Sequence, residues 1–261
     1  MSAEPAPGRL WEVDAVRTAA ILMMVAYHAA WDVFQLAPTV KVDPFDGGWR
    51  ALQVACGSTF LFVVGVSLAI SNARGRARGL DGWALYRRHL RRAAQVAAAA
   101  ALVTLVTLVV LGDDYVRFGI LHCIAAAMVL GPLMLRLRWW NLPLAAVVIA
   151  VGVMLETGPR SNVPGLFLLG VPPEHGTVDW YPLLPWLGPM MIGLAVGAAL
   201  YPGGRRGRWG DRLPEPSFAR ALGAPGRHAL PIYLVHQPLL IALLAAVLAL
   251  AGVEVGGGIF S

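Results

Sequence analysis

Hydrophobic positions in this chain fall in uncharged runs longer than the roughly 5 to 12 residues that a soluble core uses. The runs are Thr18–Trp31, Ala51–Ala73, Ala93–Gly112, Phe118–Leu135, Trp139–Leu155, Trp180–Gly204 and His228–Val253. A bilayer core of about 30 Å takes roughly 17 to 25 helical residues, so each run can cross once, the first by including its polar flanks. The pattern predicts an all-α integral membrane protein. Its seven transmembrane helices are expected near residues 13–34, 50–72, 92–112, 117–135, 139–155, 182–202 and 228–252, in one domain over 1–261.

Composition agrees: 57% of residues are hydrophobic and 14% charged, against about 25% charged in soluble proteins. A soluble fold would lack polar residues to cover its surface. Residues 1–12 carry Glu4, Glu12 and only Arg9, and no small-x-small site follows the first run, so the first helix reads as retained. Cys56 and Cys123 fall inside predicted spans and read as small core residues, which excludes a disulfide framework and a four-thiolate zinc site.

Basic residues near helix ends favour the cytoplasmic side. Arg74–Arg92 holds seven arginines, 205–227 six, the link at Arg136 and Arg138 two, and the first flank Arg9 and Arg17, or 17 of the 21 basic residues. The other side holds four basic residues against nine of the fifteen acids. The N-terminus is therefore expected in the cytoplasm and the C-terminus outside, as a multi-pass protein of the cytoplasmic (inner) membrane. The net charge of +6 reflects this orientation, and no nucleic-acid partner is needed to explain it. The second half of Arg74–Arg92 reads as a basic amphipathic helix on the inner leaflet. Residues 156–184 read as an interfacial or re-entrant lid over an outward-facing pocket.

Ionisable residues at membrane depth are functional candidates by default. On the first helix Arg17 and His28 lie about 20° apart around the axis, with Asp14 and Asp32 about 60° from Arg17. Asp32, one turn from His28, is expected to orient its imidazole. His122 opens the fourth helix at a depth similar to His28, and the two histidines are expected to share a site. Asp179, Trp180 and Tyr181 introduce the sixth helix as an outer pocket rim. The seventh begins PGRHALPIYLVHQP, placing Arg227 and His228 at the inner face and Tyr233, His236 and Gln237 deeper. Lys41, the sole lysine, lies in an outer loop, which excludes a retinal Schiff base in the last helix. No P-loop, HExxH or Gly-x-Ser-x-Gly motif occurs. No metal is expected, although haem ligation by His28, His122 and His236 stays open.

The segments EVDAVRTAAILMMVAYHAAWD, GSTFLFVVGVSLAIS, YVRFGILHCIAAAMVL, DWYPLLPWLGPMMIGLAVG and GRHALPIYLVHQPLL together resemble the bacterial DUF1624 family, related to the catalytic domain of heparan-α-glucosaminide N-acetyltransferase and to YeiB-like proteins. Arg17 followed by His28 is similar to the motif of the wider transmembrane acyltransferase superfamily. The resemblance implies transfer of an acetyl or other small acyl group from acyl-CoA to an amine or hydroxyl of an extracytoplasmic sugar or glycolipid. On that expectation His28 is the general base, Asp32 fixes its tautomer, and His122 or Tyr233 polarises the thioester carbonyl. Arg17, Arg227 and His228 hold the CoA phosphates, and Asp179, Trp180, Tyr181, Tyr233, His236 and Gln237 contact substrate. Direct transfer is preferred to an acetyl-histidine route, which stays open. Where the family reads Asp-x-x-Arg-Gly, this chain has Thr18 in place of the glycine.

The competing reading is a proton-coupled transporter or flippase using the same histidines as a relay. The small-residue faces Ala97–Ala101 and Gly193–Ala198 permit a homodimer.

Overall fold

The computed structural model describes residues 9–37, 39–212 and 216–252. Residues 1–8, part of the flank that reads as no cleavable signal, and those beyond 252 lie outside the described residues. The helices are α1 (Trp11–Leu36), α2 (Gly47–Ala77), α3 (Gly82–Leu111), α4 (Ile120–Met134), α5 (Asn141–Glu156), α6 (Leu166–Leu169), α7 (Leu183–Leu200), α8 (Ala219–Leu222), α9 (Ala224–Arg227) and α10 (Ala229–Leu250). No strand occurs among the described residues, and Phe118 and Trp180 form an isolated bridge.

Six helical stretches among the described residues are long and apolar enough to cross a membrane. The fourth, Ile120–Glu156, takes in α4, a 3-10 segment at Leu135–Trp140 and α5. At Arg138 the backbone turns to φ 50°, ψ −117°, leaving the helical region between α4 and α5. Asn141, 1% exposed, holds this break with its amide, donating to the carbonyls of Met134 and Arg138 at 3.0 Å each. It thereby satisfies carbonyls that the interrupted helix leaves orphaned.

The stretch Arg74–Arg92 departs from its expected form. α2 runs on to Ala77, and after a short turn the residues expected as a separate surface helix are the first turns of α3. At 30 residues α3 is about 45 Å long, more than a bilayer core needs, so its arginine-bearing turns extend past the apolar part.

α7 forms the centre of the bundle, with α2, α4 and α5 packed around it, and α1 lies on α2 beside α10. The α2–α7 approach is possible only without side chains at the crossing. A Cβ on Gly65 would stand 2.1 Å from the Met190 carbonyl oxygen, and one on Gly193 would stand 2.1 Å from that of Phe62. Of the Gly193–Ala198 stretch, Gly193 and Gly197 thus pack against α2 within the chain, while Ala198 is exposed. α3, α5 and α10 form the rim, and residues such as Val109, 86% exposed, Met154 and Leu243 turn large apolar side chains outward. In a bilayer these meet lipid. The start of α1 is pinned by Glu12, whose carboxylate accepts from Arg206 at 2.9 and 2.6 Å and from the Tyr201 hydroxyl at 3.2 Å.

Candidate functional site

His28 and His236 face each other across the α1–α10 contact, ring centroids 4.7 Å apart and planes at 85°. Each imidazole is oriented by its own helix. His28 Nδ1 lies 2.8 Å from the Met24 carbonyl oxygen, and His236 Nδ1 lies 2.6 Å from that of Tyr233. A carbonyl only accepts, so in both rings Nδ1 carries the hydrogen and Nε2 keeps its lone pair in the neutral form. His236 is buried and its Nε2 has no partner among the described residues. The pair therefore offers two basic nitrogens at one point.

Asp32 does not orient His28 as expected, because the Met24 carbonyl one turn back already holds Nδ1. Asp32, 1% exposed, accepts instead from the Gln237 amide at 2.6 Å, a bond that ties α1 to α10 beside the histidine pair. Its second oxygen and the Gln237 carbonyl oxygen are buried without partners. Two unmet acceptors thus sit on the residues that tie α1 to α10, one turn from His28 and adjacent in sequence to His236, and they suit a ligand bringing N–H or O–H donors.

A cavity of about 200 Å³ lies between α1, α2, α3, α4 and α10, and Tyr233 separates it from the histidine pair, neither member of which lines it. Its walls are mostly apolar, among them Val64, Leu68, Ile124 and Met128. One end carries Arg17, Ser67, Ser71, His89 and Arg92, and the other reaches Tyr233, whose ring lies 5.5 Å from that of His236. Arg17 is held by Asp14 at 2.6 Å, the Ser67 hydroxyl at 3.0 Å and the Gly226 carbonyl at 3.2 Å. Arg17 and His28, eleven residues apart, are separated by about 16 Å along α1 on nearly one face.

Arg227 and His228, expected beside Arg17, do not line this cavity: Arg227 donates to the Arg220 carbonyl at 3.0 Å and His228 is exposed. In their place α3 contributes His89 and Arg92, which sequence reasoning passed over inside the basic run RRHLRR. A signal for them existed. Leu85, His89 and Ala93 recur at four-residue spacing and all are buried, so His89 belongs to the inward stripe of α3.

His122 likewise is not part of the His28 site. Its Nδ1 accepts the Gly119 N–H at 3.3 Å, so Nε2 carries the hydrogen and meets the Thr104 hydroxyl at 3.3 Å, which in turn donates to the Val116 carbonyl at 2.8 Å. Both ring nitrogens are thus spent on closing the start of α4 against α3. Of the expected pocket rim, Asp179 accepts the Ile120 N–H at 3.1 Å and caps α4. Burial pushes its carboxyl up to about 6, an effect that this N–H partly offsets. Tyr181 is buried against Trp186, ring centroids 4.5 Å apart. Trp180 donates to the Phe167 carbonyl at 3.0 Å and still lines a second, more polar pocket of about 410 Å³ with Arg50, Glu156, Arg160 and His175. The segment expected as a lid forms much of that pocket's wall.

The model of a family described as "Heparan-alpha-glucosaminide N-acetyltransferase, catalytic" matches residues 9–238. The chain belongs to this family. Membership implies a membrane acetyltransferase, and the matched segment runs from α1 to Pro238, just past His236 and Gln237. No curated protein and no solved structure matches the chain. Thr18, standing where the resemblance leads one to expect a glycine, has a defined use here. Its hydroxyl donates to the Asp14 carbonyl at 3.1 Å and accepts the Gly226 N–H at 2.9 Å, locking α9 onto α1 beside Arg17.

Proposed function

We propose that this chain transfers an acetyl or other small acyl group from acyl-CoA to an amine or hydroxyl of an extracytoplasmic sugar or glycolipid, using the His28–His236 pair as its base. The observation that carries the reading is the pairing itself: two imidazoles with Nδ1 committed to carbonyls, beside Tyr233, which lines one end of an apolar cavity whose other end bears Arg17 and Arg92.

The donor brings the acetyl thioester. Arg17 and Arg92 attract its phosphates, and the arginine's planar fork, already fixed in Arg17 by Asp14, suits them. The apolar walls take the uncharged arm and exclude water. At the far end His28 Nε2 removes the proton from the acceptor's nitrogen or oxygen as that atom bonds to the acetyl carbon. The carbon–sulfur bond breaks and the leaving thiolate recovers the proton. His236 Nε2 is the proposed acceptor for the hydrogen of the transient imidazolium, and the Tyr233 hydroxyl is the proposed donor that polarises the thioester carbonyl. Asp32 and Gln237 act by holding α10 against α1 and by presenting acceptors to the incoming amine or hydroxyl.

This reading places the arginine-rich end in the cytoplasm of a bacterial cell, the N-terminus inside, and the polar pocket around Trp180 on the outer face of the inner membrane. The break at Arg138 then makes α4 and α5 two crossings, seven in all.

The test is acetyl transfer from radiolabelled acetyl-CoA by the purified protein in lipid nanodiscs, with a panel of amino sugars and neutral sugars. Labelled product with the wild type, lost in His28→Ala and His236→Ala while both still bind acetyl-CoA, is expected. Normal turnover in His28→Ala overturns the mechanism. No donor binding by folded protein, with gradient-driven solute flux in liposomes, overturns the enzyme reading in favour of transport.

A further inference from the structure

No step of the proposed transfer uses the second pocket, of about 410 Å³. It is built on helix ends: Arg50 and Gln53 come from the first two turns of α2, Glu156 ends α5, Arg160 follows it, and Trp186 lies in the first turn of α7. Of the four basic residues expected outside, Lys41, Arg50, Arg117 and Arg160, two line this one pocket, with the exposed His175 beside them. Among the described residues no carboxylate pairs with either arginine. Arg50 donates to the Gln53 side-chain oxygen at 2.5 Å, Arg160 has no hydrogen-bond or ion-pair partner, and Glu156, half-buried in the same wall, makes no ion pair. Trp186 is 7% exposed, and its indole N–H is buried without a partner.

The chemistry of these groups selects a ligand. A guanidinium and an indole N–H only donate, and a carboxylate only accepts. The pocket thus offers two positive forks and one buried donor to an oxyanion, and a single acceptor, Glu156, to a hydroxyl. A phosphate has the charge and the several acceptor oxygens that the donors call for. Depth chooses where that phosphate comes from. The α2 span begins at Gly47 and the α4–α5 span ends at Glu156, so the pocket lies at the level of lipid head groups, where Trp49 and Trp180 also stand. On the adjoining turns of α5, Val151, Val153 and Met154 are exposed, as are Val163 and Leu169 around α6. A head group seated in the pocket leaves its tails beside an apolar surface.

We infer that this pocket is the head-group site for an anionic phospholipid whose head carries hydroxyls, with Arg50, Arg160 and the Trp186 N–H on the phosphate and Glu156 on a hydroxyl. The site needs no acyl donor and stands apart from the transfer reading above.

The test is saturable binding to the detergent-purified full chain of dihexanoyl phosphatidylglycerol, of dihexanoyl phosphatidylcholine, which has the same tails and no net charge, and of glycerol 3-phosphate, which has no tails. Phosphatidylglycerol is expected to bind about tenfold more tightly than either. The double variant Arg50→Gln, Arg160→Gln is expected to remove that preference, and Lys41→Gln, which changes an outer charge away from the pocket, to keep it. Trp186→Phe retains an aromatic ring without the N–H and is expected to weaken phosphatidylglycerol about fivefold. Glu156→Leu is expected to weaken phosphatidylglycerol but not phosphatidic acid, which lacks the head-group glycerol. Equal affinity for the two dihexanoyl lipids, or the same loss in Lys41→Gln as in the double arginine variant, overturns the inference. Glycerol 3-phosphate binding as tightly as phosphatidylglycerol overturns the lipid source in favour of a soluble phosphate. None of these outcomes bears on acetyl transfer, which is read separately.

Discussion

Gly226→Ala tests how closely α9 must seat on α1 to hold Arg17. A Cβ there would stand 2.1 Å from the Asp14 carbonyl oxygen, 3.0 Å from its carbon and 3.0 Å from the Thr18 hydroxyl oxygen. The first two atoms belong to the backbone of α1 and cannot turn aside, so α9 has to retreat by more than about 1 Å to restore ordinary contact. That movement lengthens the Gly226 N–H to Thr18 bond, now 2.9 Å, and the Arg17 to Gly226 carbonyl bond, now 3.2 Å. Overpacking of this kind costs about 1–3 kcal/mol and each lost hydrogen bond about 1 kcal/mol, so a destabilisation of about 2–4 kcal/mol is expected. Gly48→Ala is the control, since a Cβ at Gly48 meets nothing within 4 Å. Thermal unfolding in detergent micelles, followed by acetyl-CoA titration of each variant, reads both effects. Gly226→Ala is expected to unfold several degrees lower and to bind donor more weakly, with Gly48→Ala at or above wild type. Wild-type unfolding and affinity in Gly226→Ala would refute the claim that backbone contact at this point positions Arg17.

Gln237→Leu leaves the buried Asp32 carboxylate without its donor and is expected to lower stability by about 1–3 kcal/mol, whereas the double variant Asp32→Leu, Gln237→Leu recovers much of that loss; a double-mutant cycle of unfolding free energies checks it. His122→Ala removes the bonds to Gly119 and Thr104 and is expected to cost about 1–2 kcal/mol while keeping acetyl transfer, so abolished turnover in a folded His122→Ala protein would return that histidine to the site. Asp179 titrates near 6 in the folded protein against an ordinary 3.8. The folded state therefore holds its proton more tightly, and stability from this group falls as pH rises from about 4 to about 6. Asp179→Asn, which keeps an oxygen for the Ile120 N–H, is expected to flatten that part of the unfolding-temperature profile, and an unchanged profile would assign the dependence to another group.

The apolar runs and the local hydrogen-bonding options of single helices were legible in the chain, because they depend on spacing along one axis. The helices lie close to the uncharged stretches, since length in an apolar run is what a bilayer-spanning helix needs. Arg17 and His28 could be placed on one face of α1 from their separation alone, and the residues that carry the family resemblance lie in the segment that the family model matches. What rotation about those axes brings together was not legible. Sequence depth matched His28 with His122, yet the turn of α10 puts His236 there and the α3–α4 contact consumes both nitrogens of His122. Asp32 stands one turn from His28, but Gln237, more than two hundred residues away, reaches its oxygen first. His89 was hidden among arginines because a charge run reads as a solvated face until packing shows which of its members points inward. Composition decides that helices form and where they lie in the membrane; the close approaches permitted by Gly65, Gly193 and Gly226 decide which faces meet, and so which side chains make the site.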